Sequence, residues 1–280
     1  MKVVSSIYQL TVFLASLSKK DSLGFIPTMG ALHKGHASLI KKSLSENTLS
    51  VCSIFVNPAQ FNNKTDFKNY PNRLDEDISL LKKIGCDAVF TPSKETIYPN
   101  GVPSCVFDFG ALDKVMEGAN RPGHFNGVAL VVSRLFEMIK PQRAYFGEKD
   151  FQQLAIIKSI AAQKFKDIEI IPCSTLREKD GLAMSSRNWH IESDERPKVI
   201  ILKEVIDWIA ENILNGNLDF FDLESIAIQR INKRGFEVDY ITCCNSETLD
   251  FAANDDKNIT VLGAIYTKKA RLIDDVSVQL

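Results

Sequence analysis

The sequence has almost no excess charge of either sign, because 34 lysines and arginines stand beside 35 aspartates and glutamates and leave a formal net charge of −1. This balance gives no reason to expect a nucleic-acid or membrane-surface partner, and we predict neither. Long apolar runs are also missing, since no stretch reaches the ~20 residues that a membrane helix requires. Internal repeats and low-complexity tracts are absent too, which leaves the composition of an ordinary globular protein.

Cysteine pairs with metal-binding or redox spacing are missing as well. The six cysteines include no CxxC pair and are dispersed through apolar segments rather than grouped with histidines. We interpret them as reduced thiols, which predicts a reducing compartment and a cytoplasmic location.

A secretory signal is poorly matched at the start of the chain, because Ser5, Ser6 and Gln9 interrupt the apolar run that follows Lys2. The pattern instead predicts a helix with an apolar face. Its apolar residues would be Tyr8, Leu10, Val12, Phe13, Leu14 and Leu17.

From about residue 22, short apolar runs alternate with segments of helical period, a pattern typical of parallel strands joined by crossover helices. Strands are predicted at 23–28, 49–58, 86–92, 143–146 and 168–172, and helices at 36–47, 73–84, 125–139 and 151–164. We therefore predict an α/β fold with a Rossmann-like, doubly wound parallel sheet. Its ligands should bind beyond the carboxyl ends of the strands.

The pattern changes after Pro172. Two helices, at about 195–214 and 219–234, are followed by strand-like runs at 238–244, 259–266 and 269–276 with no helices between them. This order favours an antiparallel sheet, so we predict a Rossmann-like domain at 1–175 and a smaller C-terminal α+β domain at 176–280.

The first strand leads directly into a turn that contains Met29, Gly30, His33 and His36. Glycine lets the backbone approach a ligand, the following helix offers unpaired N–H groups, and histidines can donate to phosphate oxygens. A pair of surface histidines or a metal site are the alternatives, although zinc would need further ligands that are not nearby in sequence. The strand–turn–helix context favours binding of a nucleotide triphosphate.

A second motif, Gly147-Glu148-Lys149-Asp150, lies between a strand and a helix. Gly147 permits a tight turn, and Lys149 is placed where a cation could neutralise a polyphosphate. Taken alone, the motif favours a helix start capped by Asp150.

A third motif, Met184-Ser185-Ser186-Arg187, lies near the predicted domain junction. Two hydroxyls and a guanidinium can hold phosphate oxygens, and a loop can close over a bound nucleotide. Taken alone, the motif favours an ordinary polar linker.

The order of the three motifs strongly resembles the pantothenate synthetases, also called pantoate-beta-alanine ligases. The matching stretches are IPTMGALHKGH, SIFVNPAQF, DFKNYP, RPGHFNGV, YFGEKDFQQL, LREKDGLAMSSRN, FEVDYI and ARLIDD. An HxGH turn alone would indicate only the wider nucleotidyltransferase group. Ala59 and Asn72 depart from the residues that the family usually has, in a loop that flanks the substrate.

The resemblance implies an ATP-dependent ligase that makes pantoyl adenylate and pyrophosphate, and then transfers the pantoyl group to β-alanine with release of AMP. It implies catalytic roles for His36, the proton donor, and for His33, Lys149 and Arg187. Gln60 and Gln153 match the pantoate-binding amides. The implied ATP contacts are Met29, Gly30, His33, His36, Gly147, Glu148, Lys149, Asp150, Leu176, Met184, Ser185, Ser186 and Arg187.

The same reaction implies Mg²⁺ as the partner of the triphosphate, with Asp77 as a ligand of the ion or of its shell. A solvated acid beside Glu76 on a helix surface is the alternative for Asp77. The resemblance also implies a homodimer and a smaller domain that closes as a lid over the adenylate. Another enzyme with the HxGH turn, one that leaves the nucleotide on its product, is the alternative function.

Overall fold

The computed structural model describes residues 1–18, 20–62, 67–68 and 70–280. Part of the DFKNYP stretch therefore lies outside the described residues. The chain forms two compact units, one made of 1–148 and 153–174 and the other of 149–152 and 175–280. Within the described ranges, every helix is too short or too polar to cross a membrane.

The first unit is built on six parallel strands in the order β1-β4-β3-β2-β5-β6. They are β1 (Lys2–Val4), β2 (Leu23–Thr28), β3 (Leu49–Ile54), β4 (Ala88–Phe90), β5 (Arg143–Gly147) and β6 (Glu169–Cys173). The chain runs from β2 outward to β3 and β4, and later returns to β5 on the other side of β2. The carboxyl ends of β2 and β5 thus flank the switch point, where ligands bind in such sheets.

Helices connect these strands. They are α1 (Ile7–Ala15), α2 (Lys34–Glu46), α3 (Leu74–Ile84), α4 (Lys94–Ile97), α5 (Met116–Asn120), α6 (His124–Ile139) and α7 (Phe151–Lys164). α6 buries most of its residues in the core that also holds Phe25 and Phe90. α3 ends at Ile84 and is capped by Gly85, whose φ of 91° is the left-handed conformation that glycine adopts at helix ends.

The second unit packs α8 (Ile201–Leu214) and α9 (Phe220–Lys233) on an antiparallel sheet. The sheet has the order β7-β8-β9, with β7 at Glu237–Asn245, β8 at Asn258–Tyr266 and β9 at Arg271–Gln279. The predicted fold class is confirmed in both units. The functional division between the domains 1–175 and 176–280 stays a prediction.

The start of the chain differs from the prediction. Lys2–Val4 forms an edge strand paired with β4, which the sequence analysis missed. The helix predicted after it is present, but its apolar face is narrower than predicted. Leu10 and Phe13 are buried, whereas Tyr8 and Val12 are exposed. Leu10 and Phe13 are three residues apart on one face, whereas Tyr8 and Val12 lie four apart on another.

The cysteines are unpaired, as their spacing in the sequence predicts, and most of them are buried. All six cysteines are free, and Cys105 is the exposed one. Burial raises the pKa of Cys86 and of Cys173 to about 11, so these thiols stay protonated at neutral pH.

Helix α2 lies very close to β2 at Gly24. A Cβ atom at this position would lie 2.1 Å from Ser43 Oγ and 2.6 Å from Asn47 Nδ2. Neither group is free to move, because Ser43 Oγ shares a 2.7 Å hydrogen bond with Ser50 Oγ and Asn47 Nδ2 donates to Tyr145 Oη at 2.6 Å. Glycine is therefore needed here for close packing.

We expect Gly24→Ala to lower the free energy of unfolding by about 1–3 kcal/mol, as overpacking of a filled core does. Urea unfolding measures the change. Ser43→Ala removes the nearer of the two clashing groups, so the double variant should lose less than the sum of the two single losses. Additive losses would show that Ser43 is not the obstacle.

Candidate active site

The turn after β2 has a backbone conformation that brings consecutive N–H groups to one point. Gly30 and Ala31 have φ values of 87° and 50°. A Cβ on Gly30 would lie 3.0 Å from both Asp77 Oδ2 and Ile54 Cγ2, so a larger residue has little room. Thr28 fixes the start of the turn, because its Oγ1 accepts from Gly30 N–H at 3.2 Å and donates to the Ser53 carbonyl at 2.7 Å.

Asp77, near the start of α3, holds this turn in place. Its Oδ2 accepts from Ala31 N–H at 2.8 Å and its Oδ1 from Leu32 N–H at 2.7 Å. Consecutive N–H groups that converge on one anion form a nest. Desolvation raises the pKa of the Asp77 carboxyl, while the two N–H donors act in the opposite direction. At 3% exposure Asp77 is not the solvated surface acid that the sequence also allowed.

The two histidines form the N-terminal cap of α2. His33 Nδ1 accepts from Gly35 N–H at 3.1 Å, and His36 Nδ1 accepts from His33 N–H at 3.3 Å. A ring nitrogen that accepts a hydrogen bond carries no hydrogen, so each neutral ring carries its hydrogen on Nε2. The ring centroids are 4.1 Å apart. The cap therefore fixes both tautomers with Nε2–H as the donor.

Gln60 lies beside this turn in the same unit. It ends a short 3-10 helix, Pro58–Gln60, that follows β3. Its Nε2 donates to Met29 Sδ at 2.9 Å, and its Oε1 accepts from Asn57 Nδ2 at 3.3 Å. The structure thus brings a predicted pantoate residue, Gln60, into contact with a predicted ATP residue, Met29. Gln153, the other predicted pantoate residue, is half-buried on α7.

The second motif follows β5. Gly147 is the last residue of that strand, and Glu148–Asp150 form a 3-10 turn that continues into α7. The Lys149 side chain is 15% exposed and its Nζ lies 3.8 Å from Asp150 Oδ1. A Cβ added at Gly147 would meet nothing within 4 Å, so the space beside this residue is open.

The third motif belongs to a hairpin of the second unit. Met184 N–H donates to the Leu176 carbonyl at 2.9 Å, and Glu178 N–H donates to the Leu182 carbonyl at 2.8 Å. Ser185 Oγ accepts from Arg187 N–H at 3.2 Å and caps the 3-10 helix Ser186–His190. The hairpin therefore holds the Ser185–Arg187 segment in a defined conformation.

Ion pairs fix this hairpin on the second unit. Arg177 binds Asp274 of β9 with two hydrogen bonds, of 2.6 and 2.9 Å. Arg196 pairs with Glu178 and with Asp180, which lies in the turn of the hairpin. Paired guanidinium–carboxylate geometry is stiffer than single contacts.

Asp275, beside the Arg177–Asp274 ion pair, carries a carboxyl group that the sequence did not mark as a site residue. Asp275 is buried, and its Oδ1 has no hydrogen-bond partner among the described residues. Burial and the neighbouring Asp274 raise the pKa of Asp275 to about 7, against the opposing charges of Lys149 and Arg177. The ARLIDD stretch contains Asp275, but nothing in that stretch shows that its carboxyl is buried.

The described residues do not form a metal site of their own, since they contain no group of three or more histidine, cysteine, aspartate or glutamate side chains that could hold an ion. Both oxygens of Asp77 already accept N–H hydrogen bonds. The donor set does not fit a resident metal ion, and the assignment of Asp77 to Mg²⁺ stays a prediction.

Comparison with known proteins gives one consistent family. A family model described as Pantoate-beta-alanine ligase matches residues 2–277. A pantothenate synthetase of Cellvibrio japonicus is 44% identical over 282 residues and covers 100% of both chains. One from Saccharophagus degradans is 45% identical over 260 residues, or 92% of each chain.

Solved structures agree with these relatives. The crystal structure of pantothenate synthetase from Thermus thermophilus superposes with a TM-score of 0.89 at 37% identity, covering 99% of both chains. A pantoate-beta-alanine ligase from Francisella tularensis, complexed with beta-gamma ATP and beta-alanine, has a TM-score of 0.80 at 38% identity, covering 99% of this chain and 97% of that one.

Asp77→Asn should lower the free energy of unfolding by about 1–3 kcal/mol, because an amide has one acceptor oxygen and leaves one of the two buried N–H groups unpaired. Asp75→Asn is the matched control, since Asp75 is exposed on the same first turn of α3. Urea unfolding of both variants measures the difference.

A metal-binding role for Asp77 gives a different result in the same experiment. Mg²⁺ without nucleotide would then stabilise the unmodified protein but not the Asp77→Asn variant. Equal unfolding midpoints for both variants would contradict the role of Asp77 in holding the turn.

Proposed function

The chain belongs to the pantoate-beta-alanine ligase family, and on that premise we propose that it activates pantoate with ATP as pantoyl adenylate and then joins the pantoyl group to β-alanine. The enzyme is a carbon–nitrogen ligase. One observation carries the proposed mechanism: two histidines with fixed tautomers stand at the start of a helix, directly after a strand at the switch point of the sheet. Such a site favours phosphate oxygens.

In the first step, a carboxylate oxygen of pantoate attacks the α-phosphorus of ATP. The bond from this phosphorus to the bridging oxygen breaks, and pyrophosphate leaves. Negative charge grows on the phosphate oxygens, so donors that are already oriented stabilise the transition state most. His36 Nε2–H is suited to this role because the cap holds its ring before ATP binds.

Fixed positive charge completes the proposed phosphate site. We assign it to Lys149 and Arg187, with the hydroxyls of Ser185 and Ser186 as further donors. Main-chain groups at Met29, Gly30, Gly147, Glu148, Asp150, Leu176 and Met184 would frame the nucleotide. ATP would arrive as its Mg²⁺ complex, because this ion retains water and phosphate ligands and needs few from protein.

In the second step, the amine of β-alanine attacks the acyl carbon of the adenylate. The carbon–oxygen bond to AMP breaks, and the nitrogen loses a proton as the amide forms. Gln60 and Gln153 would hold pantoate throughout, since an amide can donate to a carboxylate and accept from a hydroxyl. The mixed anhydride reacts with water, which supports our proposal that the domain 176–280 acts as a lid.

Two further proposals concern the state of the protein. The family resemblance supports a homodimer. Six unpaired cysteines support a reducing compartment, and we propose the cytoplasm.

We expect AMP to form only when ATP, Mg²⁺, pantoate and β-alanine are all present, and ¹⁸O in the pantoate carboxylate to appear in AMP. The label moves because the attacking oxygen stays on the α-phosphorus when the amide forms. Mass spectrometry of AMP and pantothenate measures it. Label that remains wholly in pantothenate would exclude an acyl adenylate, and a nucleotide left on the product would favour the alternative transferase.

His36→Ala should slow adenylate formation by about 10²–10³, the usual cost of removing one oriented donor. Binding of ATP should weaken far less, because the other phosphate contacts remain. Single-turnover formation of pantoyl adenylate and equilibrium ATP binding separate the two effects.

His36→Asn separates the catalytic role from the capping role. The Asn side-chain oxygen can replace Nδ1 as the acceptor for His33 N–H, but nothing replaces the Nε2–H donor. Both variants should therefore be equally slow. A native rate in His36→Asn would show that His36 acts only through the cap.

A further inference from the structure

The N-terminal part of α6 lies against the turn that carries Gln60. His124 Nδ1 lies 2.8 Å from the Gln60 carbonyl oxygen. A carbonyl oxygen can only accept, so His124 Nδ1 carries the hydrogen in this contact. The hydrogen bond is buried, and the two residues are 64 positions apart in the chain.

A second contact, one helical turn further along α6, fixes the same segment. The Gly127 carbonyl accepts from Asn57 Nδ2 at 3.0 Å, and Asn57 Nδ2 also reaches Gln60 Oε1 at 3.3 Å. Asn57 is held in turn by Tyr98, whose hydroxyl donates to Asn57 Oδ1 at 3.1 Å. The side chain of Gln60 is therefore oriented by a residue that α6 holds.

Gly127 sets how closely the helix and the turn approach. A Cβ on Gly127 would lie 2.3 Å from the Ala59 carbonyl oxygen and 2.7 Å from Gln60 Cα. These are backbone atoms, so relief would require the whole turn to move. The absence of a side chain at Gly127 brings His124 within hydrogen-bond distance of Gln60.

We propose that His124 and Gly127 form a seat on α6 that positions Gln60 for pantoate, with His124 as a positioning residue that does not touch the substrate. The inference rests on the proposed function, in which Gln60 binds pantoate. The geometry gives it a specific form: the His124–Gln60 hydrogen bond fixes the backbone from which the Gln60 amide extends toward Met29.

The test compares His124→Asn with His124→Leu. Asn and Leu have nearly the same shape, and both lose the ring, but only Asn keeps a donor close to the position of Nδ1. Any loss of ring packing is common to the two variants, so the difference between them reports the hydrogen bond.

We expect His124→Leu to raise the KM for pantoate by about tenfold over His124→Asn, because it leaves the buried Gln60 carbonyl unpaired. The KM for ATP should stay within about twofold in both, since Gln60 contacts Met29 at its sulfur, whereas Asp77 holds the turn after β2 and the histidine cap holds His36. Equal pantoate KM values in the two variants, or a parallel rise for both substrates, would overturn the proposal.

Gly127→Ala supplies an independent variant. Alanine favours helix over glycine by about 1 kcal/mol, so α6 itself is not weakened. The added Cβ should displace the turn and raise the KM for pantoate, again with little effect on ATP. A native KM for pantoate would show that the close approach at Gly127 does not position Gln60.

Hydrogen–deuterium exchange separates this inference from the proposed function. Amides of 57–61 should exchange faster in His124→Leu than in His124→Asn, whatever the substrate is. If the unmodified protein forms no AMP with pantoate, the proposed function fails, and exchange still decides whether His124 holds the turn. Identical exchange in both variants would refute the proposal that His124 holds the turn.

Discussion

Buried backbone N–H and carbonyl groups must find partners, and this requirement determines how the turns of the first unit are held. Two N–H groups of the turn after β2 are satisfied by Asp77, and a carbonyl of the turn after β3 by His124. Each partner comes from a helix distant in sequence. Both turns are thereby held from elsewhere in the fold, and the proposed mechanism needs such fixed positions because only oriented donors stabilise a transition state well.

Most of the fold could be predicted from the sequence, because the spacing of the apolar residues and the glycines and prolines between segments indicate the same helices and strands. β2 was predicted with its observed ends, and the switch from parallel to antiparallel sheet was recognised from the loss of intervening helices. Boundaries were less accurate. α8 begins at Ile201 rather than near 195, since residues 195–200 form turns, and α2 begins before His36 because His33 supplies an unusual cap.

The residues proposed to carry the chemistry were identified by motif, whereas the contacts that orient them were not. Local patterns identify His33, His36 and Gln60, because each motif is contiguous in the chain. Asp77 and His124 act on backbone atoms 46 and 64 positions away, and nothing in the neighbouring sequence marks such a contact. From sequence alone, a charged residue on a helix is interpreted as a surface residue or a metal ligand. Its burial and the direction of its hydrogen bonds are needed to identify another role.

The order of these contacts along the chain has a consequence for biosynthesis. The Pro58–Gln60 turn leaves the ribosome 64 residues ahead of His124. At roughly 5–20 residues per second, that separation corresponds to about 3–13 s of translation. β2 and β3 can pair during this interval, because they and α2 are contiguous. The hydrogen bond from His124 to the Pro58–Gln60 turn can thus form only after α6 begins to emerge, well after the first crossover unit has been made.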